Sequence, residues 1–294
     1  MRRKHGMTPD RVRRPTPPAA ARRPRGVDVR PFPSNRRLVI AAVRAGRHMA
    51  AMHSLVDLDV TTARILLERS TQPASFTAFI VASVARAAAA HPQVHAYRNW
   101  RGRLVRHRHV DVNTLVEVTT PQGLFTLPHV LHDADIRDVR DLTAELRAAK
   151  RDYATTDTGR LLDRFGTTMT RLPGVVPTMY AVLARSVRLR RLTGTVAVTA
   201  VGMFGAGGGF GIAPPSLMPL QVVIGGATQR PRVVDERIEV RDVLDLTITF
   251  DHNVIDGAPA ARFVAELRHI IENAEVMRAP AVGTSDGRTT GTTE

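Results

Sequence analysis

Two periodicities of hydrophobic residues run along the chain, and they predict a mixture of helices and strands. Apolar residues at every second position mark strands, and apolar residues three and four positions apart mark amphipathic helices. The strands predicted in this way are 55–60, 110–118, 124–131, 195–201, 220–225, 238–240 and 244–250. The predicted helices are 36–52, 61–69, 75–90, 135–153, 160–191 with breaks near Pro173 and Pro177, and 257–274. This irregular order indicates an α+β or mixed α/β layered domain.

Local signals define the ends of several elements. Ser75 is a candidate N-cap, and His91-Pro92 ends the helix that Ser75 begins. Pro121-Gln122-Gly123 predicts a turn that joins strands 110–118 and 124–131. The inward face of the last helix is predicted to hold Phe263, Val264, Leu267, Ile270 and Ile271, and its outward face Arg262, Glu266, His269 and Asn273.

Composition separates the two ends of the chain from its middle. Residues 1–30 are rich in Arg and Pro and lack hydrophobic periodicity, which predicts a disordered basic arm. Residues 279–294 are rich in Gly, Thr and Ser and predict a disordered tail. The folded domain is therefore expected to span 31–278.

The net charge of +15 is uneven along the chain and does not by itself identify a partner. Residues 1–30 carry ten basic and two acidic residues, and 40 of the 42 basic residues of the chain are arginine. Such uniform use of arginine is typical of genome composition. With a single tryptophan and three tyrosines, the chain offers few aromatic faces for bases, so no specific nucleic acid is expected. A pure nucleic-acid binder, acting through residues 1–30, stays open as a third hypothesis.

Several other classes are excluded or disfavoured. The chain has no cysteine, which excludes a disulfide framework, a thiolate metal site and a cysteine nucleophile. His129 and His132 are judged to lack the set of carboxylates or thiols that a metal site needs, so no metal is expected. The longest nearly apolar run, 172–184, is shorter than the ~20 residues that a spanning helix needs. We therefore expect a cytoplasmic protein without a membrane span.

The segment with the most chemical information is 250–257, where the last long strand meets the last helix. His252 continues the alternation of the strand, and Asp256 lies four residues later at the start of the helix. A carboxylate is favoured there by free backbone N–H groups. On spacing alone the ordinary interpretation is a turn histidine followed by a simple N-cap.

The surrounding sequence favours a functional role for His252 and Asp256 over this ordinary interpretation. Residues 251–263 (DHNVIDGAPAARF) resemble the signature of the dihydrolipoyl acyltransferase component of 2-oxo acid dehydrogenase complexes, a family that shares its fold and its His-x-x-x-Asp-Gly motif with chloramphenicol acetyltransferase. Further stretches that resemble this family are 58–61, 95–101, 194–205 (GTVAVTAVGMFG) and 220–226 followed by Arg230-Pro231. The resemblance covers about 33–275 and is most specific in the last 85 of those residues. It implies an α+β, chloramphenicol acetyltransferase-like domain with a mixed sheet and flanking helices.

The resemblance also implies a reaction and a set of residues. It implies transfer of an acyl group between coenzyme A and a dihydrolipoyl-type thiol or a hydroxyl, with His252 as general base and Thr199 as donor to the oxyanion. Asp256 is the orienting acid, held by an arginine for which Arg36 or Arg37 is a candidate. Histidine suits the role of base because its ordinary pKa is about 6.5.

The assembly follows from the same resemblance. In the family the site lies between neighbouring subunits of a trimer, so Thr199 and His252 are expected on different chains of a homotrimer or a larger assembly of trimers. The 32 residues before the matching segment are too few for a lipoyl domain, so the lipoyl group is expected on a separate lipoylated carrier protein. Dehydrogenase subunits are further expected partners.

Two departures from the family pattern keep a second function open. Asn253 stands where the family has arginine, and Ala200 stands where it has asparagine. The alternative is a catalytically inactive trimeric scaffold that recruits dehydrogenase subunits or polyanions. The glycines of 202–211 lack the Gly-Lys-Ser/Thr of a phosphate cradle and predict a loop that allows close approach of chains.

Overall fold

The computed structural model describes residues 26–30, 32, 35–120, 123–156, 160, 174–201 and 207–278. The chain divides into two units, 1–33 and 34–294, and the second contains the fold described below. The disordered segments predicted at 1–30 and 279–294 lie almost wholly outside the described residues, so both stay predictions.

Helices and strands alternate along the described part of the second unit. In chain order they are α1 (Asn35–Gly46), β1 (Ala51–Asp59), α2 (Thr61–Arg69), α3 (Phe76–Ala90), β2 (Tyr97–Arg98), β3 (Leu104–Val105), β4 (Val112–Thr120), β5 (Gly123–Leu131), α4 (Val139–Arg151), α5 (Val175–Arg185), β6 (Val196–Ala200), β7 (Leu220–Val234), β8 (Arg237–Asp251) and α6 (Gly257–Glu272). Short 3₁₀ turns occur at Tyr153–Thr155, Leu189–Leu192 and Glu275–Met277.

The main sheet is mixed and has the strand order β1-β8-β7-β6-β4-β5. The central strands β4, β6 and β7 run parallel, while β1 and β5 pair antiparallel with β8 and β4. A separate two-stranded sheet joins β2 to β3. The predicted α+β layout with a mixed sheet and flanking helices is therefore present.

One face of the sheet packs against helices α3 and α6. Val198, Val222 and Ile248 are in register on neighbouring strands and are all buried. The ring of Phe250 meets that of Phe263 on α6 edge to face, with centroids 5.7 Å apart. Helix α3 is buried on nearly every side, which explains its run of alanines: small side chains let the helix approach the sheet closely.

Several predicted elements are confirmed. The helix at 61–69 has the predicted bounds. Ser75 caps α3, since its hydroxyl accepts a hydrogen bond of 3.1 Å from the amide of Ala78. Strands β4 and β5 form the predicted antiparallel pair.

Two predictions near the start of the domain and in its middle are wrong. The helix expected at 36–52 ends at Gly46, and Ala51–Asp59 form a strand because their backbone pairs with β8 along its whole length. Pro177 does not break a helix, because it occupies the first turn of α5, where no intrahelical N–H bond is needed. Residues 161–173, predicted helical, lie outside the described residues.

The short strands predicted at 220–225, 238–240 and 244–250 are also wrong in extent. They belong to two strands of 15 residues each, β7 and β8, joined by a tight turn at Asp235 and Glu236. Both turn residues have positive φ, at 48° and 64°, as a type I′ turn requires. Asp-Glu replaces the glycine and asparagine usual in this turn, so the sequence carried no clear turn signal.

The far half of this hairpin extends beyond the sheet. Strand β6 pairs with β7 only up to Ile224, and β1 pairs with β8 only from Val243 onward. Residues 229–241 therefore form a two-stranded ribbon. One face of the ribbon is apolar and exposed, with Val233, Ile238 and Val240 at 76%, 80% and 70% exposure.

No helix among the described residues has both the length and the apolar character that crossing a membrane requires.

One histidine of the fold is fully buried, and its protonation couples the stability of the protein to pH. His95 lies after α3, and its Nδ1 is 2.9 Å from the hydroxyl of Thr195, just before β6. Burial, with the nearby His107, lowers the pKa of His95 to about 4. Its Nε2 has no partner among the described residues.

We expect the protein to lose stability on acidification between pH 6.5 and about 4 because of His95. In this window the unfolded chain binds a proton that the native chain does not, so the free energy of unfolding falls by up to ~1.4 kcal/mol per pH unit. His95→Asn should remove this part of the slope, whereas His48→Asn, at an exposed position, should not. Denaturant unfolding across the pH range measures the slopes. An unchanged slope in His95→Asn would contradict the prediction.

Candidate active site

The turn between β8 and α6 carries His252, and Asp251 holds the turn in place. One oxygen of Asp251 accepts hydrogen bonds from the amide of Ala50 at 3.2 Å and the amide of Asn253 at 3.1 Å. The carbonyl of Asp251 accepts from the amides of Val254 and Ile255. The amide of His252 donates to the carbonyl of Ala50 at 2.8 Å, so the turn is tied to the segment that precedes β1.

Asn253, which replaces the family's arginine, is part of the same turn. Its side-chain nitrogen donates to the carbonyl of His48 at 3.0 Å and to Asp251 Oδ1 at 2.8 Å. The substitution therefore keeps the turn fixed, with hydrogen bonds in place of a charge.

The backbone fixes the tautomer of His252. Its Nδ1 lies 3.0 Å from the carbonyl oxygen of Ile255. A carbonyl can only accept, so Nδ1 carries the proton and Nε2 presents a lone pair. The side chain is 51% exposed, which leaves Nε2 reachable by a substrate. A neutral imidazole held in this way can remove a proton from a thiol or a hydroxyl.

Asp256 lies beside this ring but does not serve as a capping residue. It occupies the N-cap position of α6, yet its side chain makes no capping hydrogen bond. Its Oδ1 is 3.7 Å from Nδ1 of His252, and the side chain is 89% exposed. Among the described residues Arg36 makes no ion pair with Asp256, and the side chain of Arg37 lies outside them.

Thr199 lies on the other face of the sheet from the core. It is in register with Val223 on β7, which is in register with Thr247 on β8. Its neighbours Val198 and Ala200 point to the opposite side, since side chains alternate along a strand. Thr199 is only partly buried.

The structure does not bring Thr199 and His252 together within one chain. His252 is five residues beyond Thr247, so the two side chains are separated by ~16 Å along the strands and ~10 Å across two strand spacings. A site that uses both must take them from two chains.

The glycine-rich loop packs on the same face as Thr199, as far as the described residues 207–211 show. The sheet approaches this loop so closely that a Cβ on Gly225 would lie 2.3 Å from the carbonyl oxygen of Gly209, and one on Gly226 would lie 2.2 Å from that of Gly207. The buried carboxylate of Asp245 accepts a hydrogen bond of 2.6 Å from the amide of Gly209. Backbone segments of the one chain therefore approach each other closely at this loop.

A small cavity lies next to the turn, between β1 and α6. Its volume is about 220 Å³. Its lining is mainly apolar and consists of Met52, His53, Ser54, Phe250, Gly257, Ala260, Ala261 and Val264. Phe250 and Gly257 flank the turn of His252 in the chain, although His252 itself is not among the lining residues.

Sequence reasoning missed two carboxylates that build this region. Asp251 organises the turn of His252, and Asp245 holds the loop that faces Thr199. Asp251 precedes the motif histidine directly, which was a usable signal. Asp245 alternates with core residues of β8 and is buried by the glycine-rich loop, which the local sequence pattern does not reveal.

Comparison with known proteins establishes the family. The sequence model of the 2-oxoacid dehydrogenases acyltransferase (catalytic domain) family matches residues 34–160 and 181–279. The chain belongs to this family, and the sequence-based identification is confirmed.

Individual relatives agree with this assignment. The chain is 28% identical over 245 residues to the dihydrolipoyllysine-residue acetyltransferase component of the pyruvate dehydrogenase complex of Corynebacterium glutamicum, covering 81% of this chain and 31% of that protein. The corresponding Mycobacterium tuberculosis component is 30% identical over 238 residues, covering 76% and 36%. The chain thus spans about a third of the length of these curated relatives.

A solved structure confirms the fold. Azotobacter vinelandii dihydrolipoamide acetyltransferase, in which the catalytic roles of a serine, a histidine and an asparagine were investigated, matches with a TM-score of 0.62 at 17% identity. The match covers 85% of this chain and 93% of that one. The predicted α+β, chloramphenicol acetyltransferase-like fold is therefore confirmed.

Gly225→Ala should destabilise the protein by ~1–3 kcal/mol, because the new Cβ would collide with the backbone of the glycine-rich loop. Gly257→Ala is the matched control: a Cβ there meets nothing within 4 Å, so its effect should stay within ~0.5 kcal/mol. Equilibrium unfolding in denaturant measures both. Equal stabilities of the two variants would show that the loop does not pack on the sheet as described.

Proposed function

We propose that the protein transfers an acyl group between coenzyme A and a thiol of the dihydrolipoyl type. The observation that carries this proposal is the hydrogen bond from Nδ1 of His252 to the carbonyl of Ile255, which leaves Nε2 as a positioned base. Membership of the acyltransferase family supports the reaction class.

His252 acts first as a base and then as an acid. Nε2 accepts the proton of the attacking thiol as its sulfur bonds to the thioester carbonyl. When the tetrahedral intermediate collapses, the bond to the leaving sulfur breaks and Nε2 returns the proton to that sulfur. One S–H bond is lost and one is gained, so the transfer needs no oxidant or reductant.

Asp256 stabilises the imidazolium that forms in between. Its Oδ1, 3.7 Å from Nδ1, places a negative charge beside the ring, while the Ile255 carbonyl fixes the orientation of the ring. Because Asp256 is exposed, this stabilisation is modest within a single chain. A neighbouring chain that covers it would strengthen the effect.

Thr199 supplies the hydrogen bond to the oxyanion from a neighbouring chain. A hydroxyl in a rigid strand is a preorganised donor. The Azotobacter enzyme supports the assignment, since its asparagine follows its histidine by four positions and its serine precedes it by 52. Here Asp256 follows His252 by four positions and Thr199 precedes it by 53.

The assembly we propose is a homotrimer, or a larger assembly of trimers, with the ribbon at the contact between chains. The site is incomplete in one chain, and the ribbon presents an apolar face that a neighbouring chain would cover. Burying one such side chain contributes roughly 1.5–3 kcal/mol.

Coenzyme A is a substrate in this proposal, and the lipoyl group belongs to a separate carrier. The cavity between β1 and α6 suits a short acyl chain, since its lining is mainly apolar and its volume is about 220 Å³. The proposed steps require no metal. The described residues contain no cluster of three or more potential metal ligands.

Mixing two inactive variants tests both the residues and the shared site. His252→Ala should abolish turnover, and Thr199→Ala should lower it by about 10²–10³. If each site takes its histidine and its threonine from different chains, co-refolding the two variants at equal amounts restores about a quarter of the wild-type sites.

The readout is thiol release from acetyl-coenzyme A with dihydrolipoamide as acceptor. Mixing either variant with itself is the control. Full activity in His252→Ala would overturn the assignment of the base. Activity in the mixture no higher than in Thr199→Ala alone would overturn the site between chains.

Ile238→Asp should dissociate the assembly and abolish activity, because it places a charge on the apolar face of the ribbon. Ile136→Asp is the matched control, since this isoleucine is 68% exposed and lies outside the ribbon. Light scattering after gel filtration measures the mass. An unchanged mass for Ile238→Asp would exclude the ribbon from the interface.

A further inference from the structure

A concentrated positive surface lies on the β2–β3 hairpin and the segment around the end of α5. We call it the arginine patch. Its exposed members are Arg98, Arg101, Arg103, Arg106, Arg108, Arg185, Arg188 and Arg191. The two segments touch, since the guanidinium of Arg185 lies 5.5 Å from the centre of the Trp100 ring.

The two segments that form the patch contain no carboxylate of their own. Segments 98–109 and 174–191 contain no Asp or Glu. Some arginines elsewhere are paired with carboxylates at close range; examples are Arg137–Glu145 at 2.6 Å, Arg241–Asp59 at 2.7 Å and Arg268–Glu272 at 2.9 Å. Within the described residues Arg191 alone of the patch lies near carboxylates, at 3.7 and 3.8 Å from Asp111 and Asp133. Uniform use of arginine in the chain does not explain this local absence of acids.

A buried arginine lies under the patch and holds it together. Arg190 is 1% exposed and donates to the carbonyls of Ala184 at 3.2 Å and Leu217 at 2.5 Å. Its guanidinium lies 4.6 Å from the centre of the Tyr97 ring, and no carboxylate pairs with it among the described residues. Its positive charge therefore adds to the potential of the patch, and its contacts fix the hairpin relative to α5.

The topology places the patch at the same end of the sheet as His252. Val112 at the start of β4 is aligned with Val196, Val196 with Leu220, and Leu220 with Phe250. The patch leads into β4 and β6, while His252 follows Phe250 on β8. Three strand spacings, ~15 Å, separate β4 from β8, so both features lie at the same end of the sheet.

We propose that the arginine patch docks the carboxylate-rich face of the protein that carries the acceptor thiol. The identity of the carrier rests on the proposed function. The contact itself is argued from charge. Guanidinium groups pair with carboxylates through two parallel hydrogen bonds, and unpaired arginines speed the encounter with an acidic surface. Nucleic acid fits less well, because Arg185 already lies over one face of Trp100 and Tyr97 is buried, so the patch offers bases few aromatic faces for stacking.

The lone tryptophan makes the contact measurable without turnover. Trp100, the single tryptophan of the chain, is 56% exposed inside the patch, so its fluorescence reports on the patch alone. Titrating the full chain with poly-L-glutamate should change the emission, with an affinity that falls as salt rises. Oligodeoxythymidylate of equal charge is the comparison, and equal or tighter binding of it would overturn the choice of a protein partner.

The charge-reversing variant is Arg101→Glu with Arg103→Glu. The turn tolerates it, because Asn99 Oδ1 holds the backbone amides and not the side chains of these residues. We expect about tenfold weaker binding of poly-L-glutamate, because two side chains that attract its carboxylates would then repel them. Arg86→Glu, at an exposed arginine of α3 outside the patch, is the matched control and should bind as the wild type does. Equal binding by both variants would refute the docking surface.

Kinetic measurements test whether the arginine patch binds the carrier. In the double variant the KM for a lipoylated carrier domain should rise about tenfold relative to the KM for free dihydrolipoamide, while Arg86→Glu leaves the ratio unchanged. A constant ratio in the double variant would overturn the proposal even if turnover confirms the acyltransferase. If the acyltransfer proposal failed, binding of poly-L-glutamate by the His252→Ala variant would still support the arginine patch as a docking surface.

Discussion

The hydrogen bond between the imidazole of His252 and the carbonyl of Ile255 is the interaction on which the proposed chemistry of this protein depends. It forms only if the chain reverses sharply after β8, and that reversal depends on the carboxylate of Asp251. Asp251 links three segments: the end of β8, the turn itself and the residues before β1. Backbone geometry thus sets the tautomer of His252, the proposed base, and no charged partner is required for that tautomer.

The same turn accommodates one of the departures from the family pattern. Asn253 gives up the positive charge of the usual arginine but ties the turn to His48 through its amide. The resemblance raised the question whether these departures disturb the site, and within one chain the turn of His252 keeps its hydrogen bonds. What one chain lacks is the hydroxyl, since Thr199 lies ~19 Å from His252 by strand geometry.

Much of the fold could be predicted from local patterns. Helix 61–69, the N-cap at Ser75 and the β4–β5 pair follow from periodicity and from turn or cap residues. The failures share a cause: they involve long-range pairing. Residues 51–54 form a strand because β8 lies beside them, and the Asp235-Glu236 turn has no glycine to mark it. The buried state of Asp245 likewise depends on a loop 36 residues away in sequence. The motif identified His252 and Asp256, whereas their spacing alone favoured a cap that Asp256 does not make.

The carboxylate of Asp245 connects two regions that otherwise seem independent. A single oxygen receives the amide of Gly209 in the loop and, at 2.5 Å, the guanidinium of Arg230 in the ribbon. The bulge between Ile224 and Ala227 sits beside this junction and lets β7 change direction there. A force applied to the ribbon by a neighbouring chain would therefore reach the loop through one shared anion. In the proposed trimer, the contact at the ribbon and the position of the glycine-rich loop would therefore be coupled through Asp245.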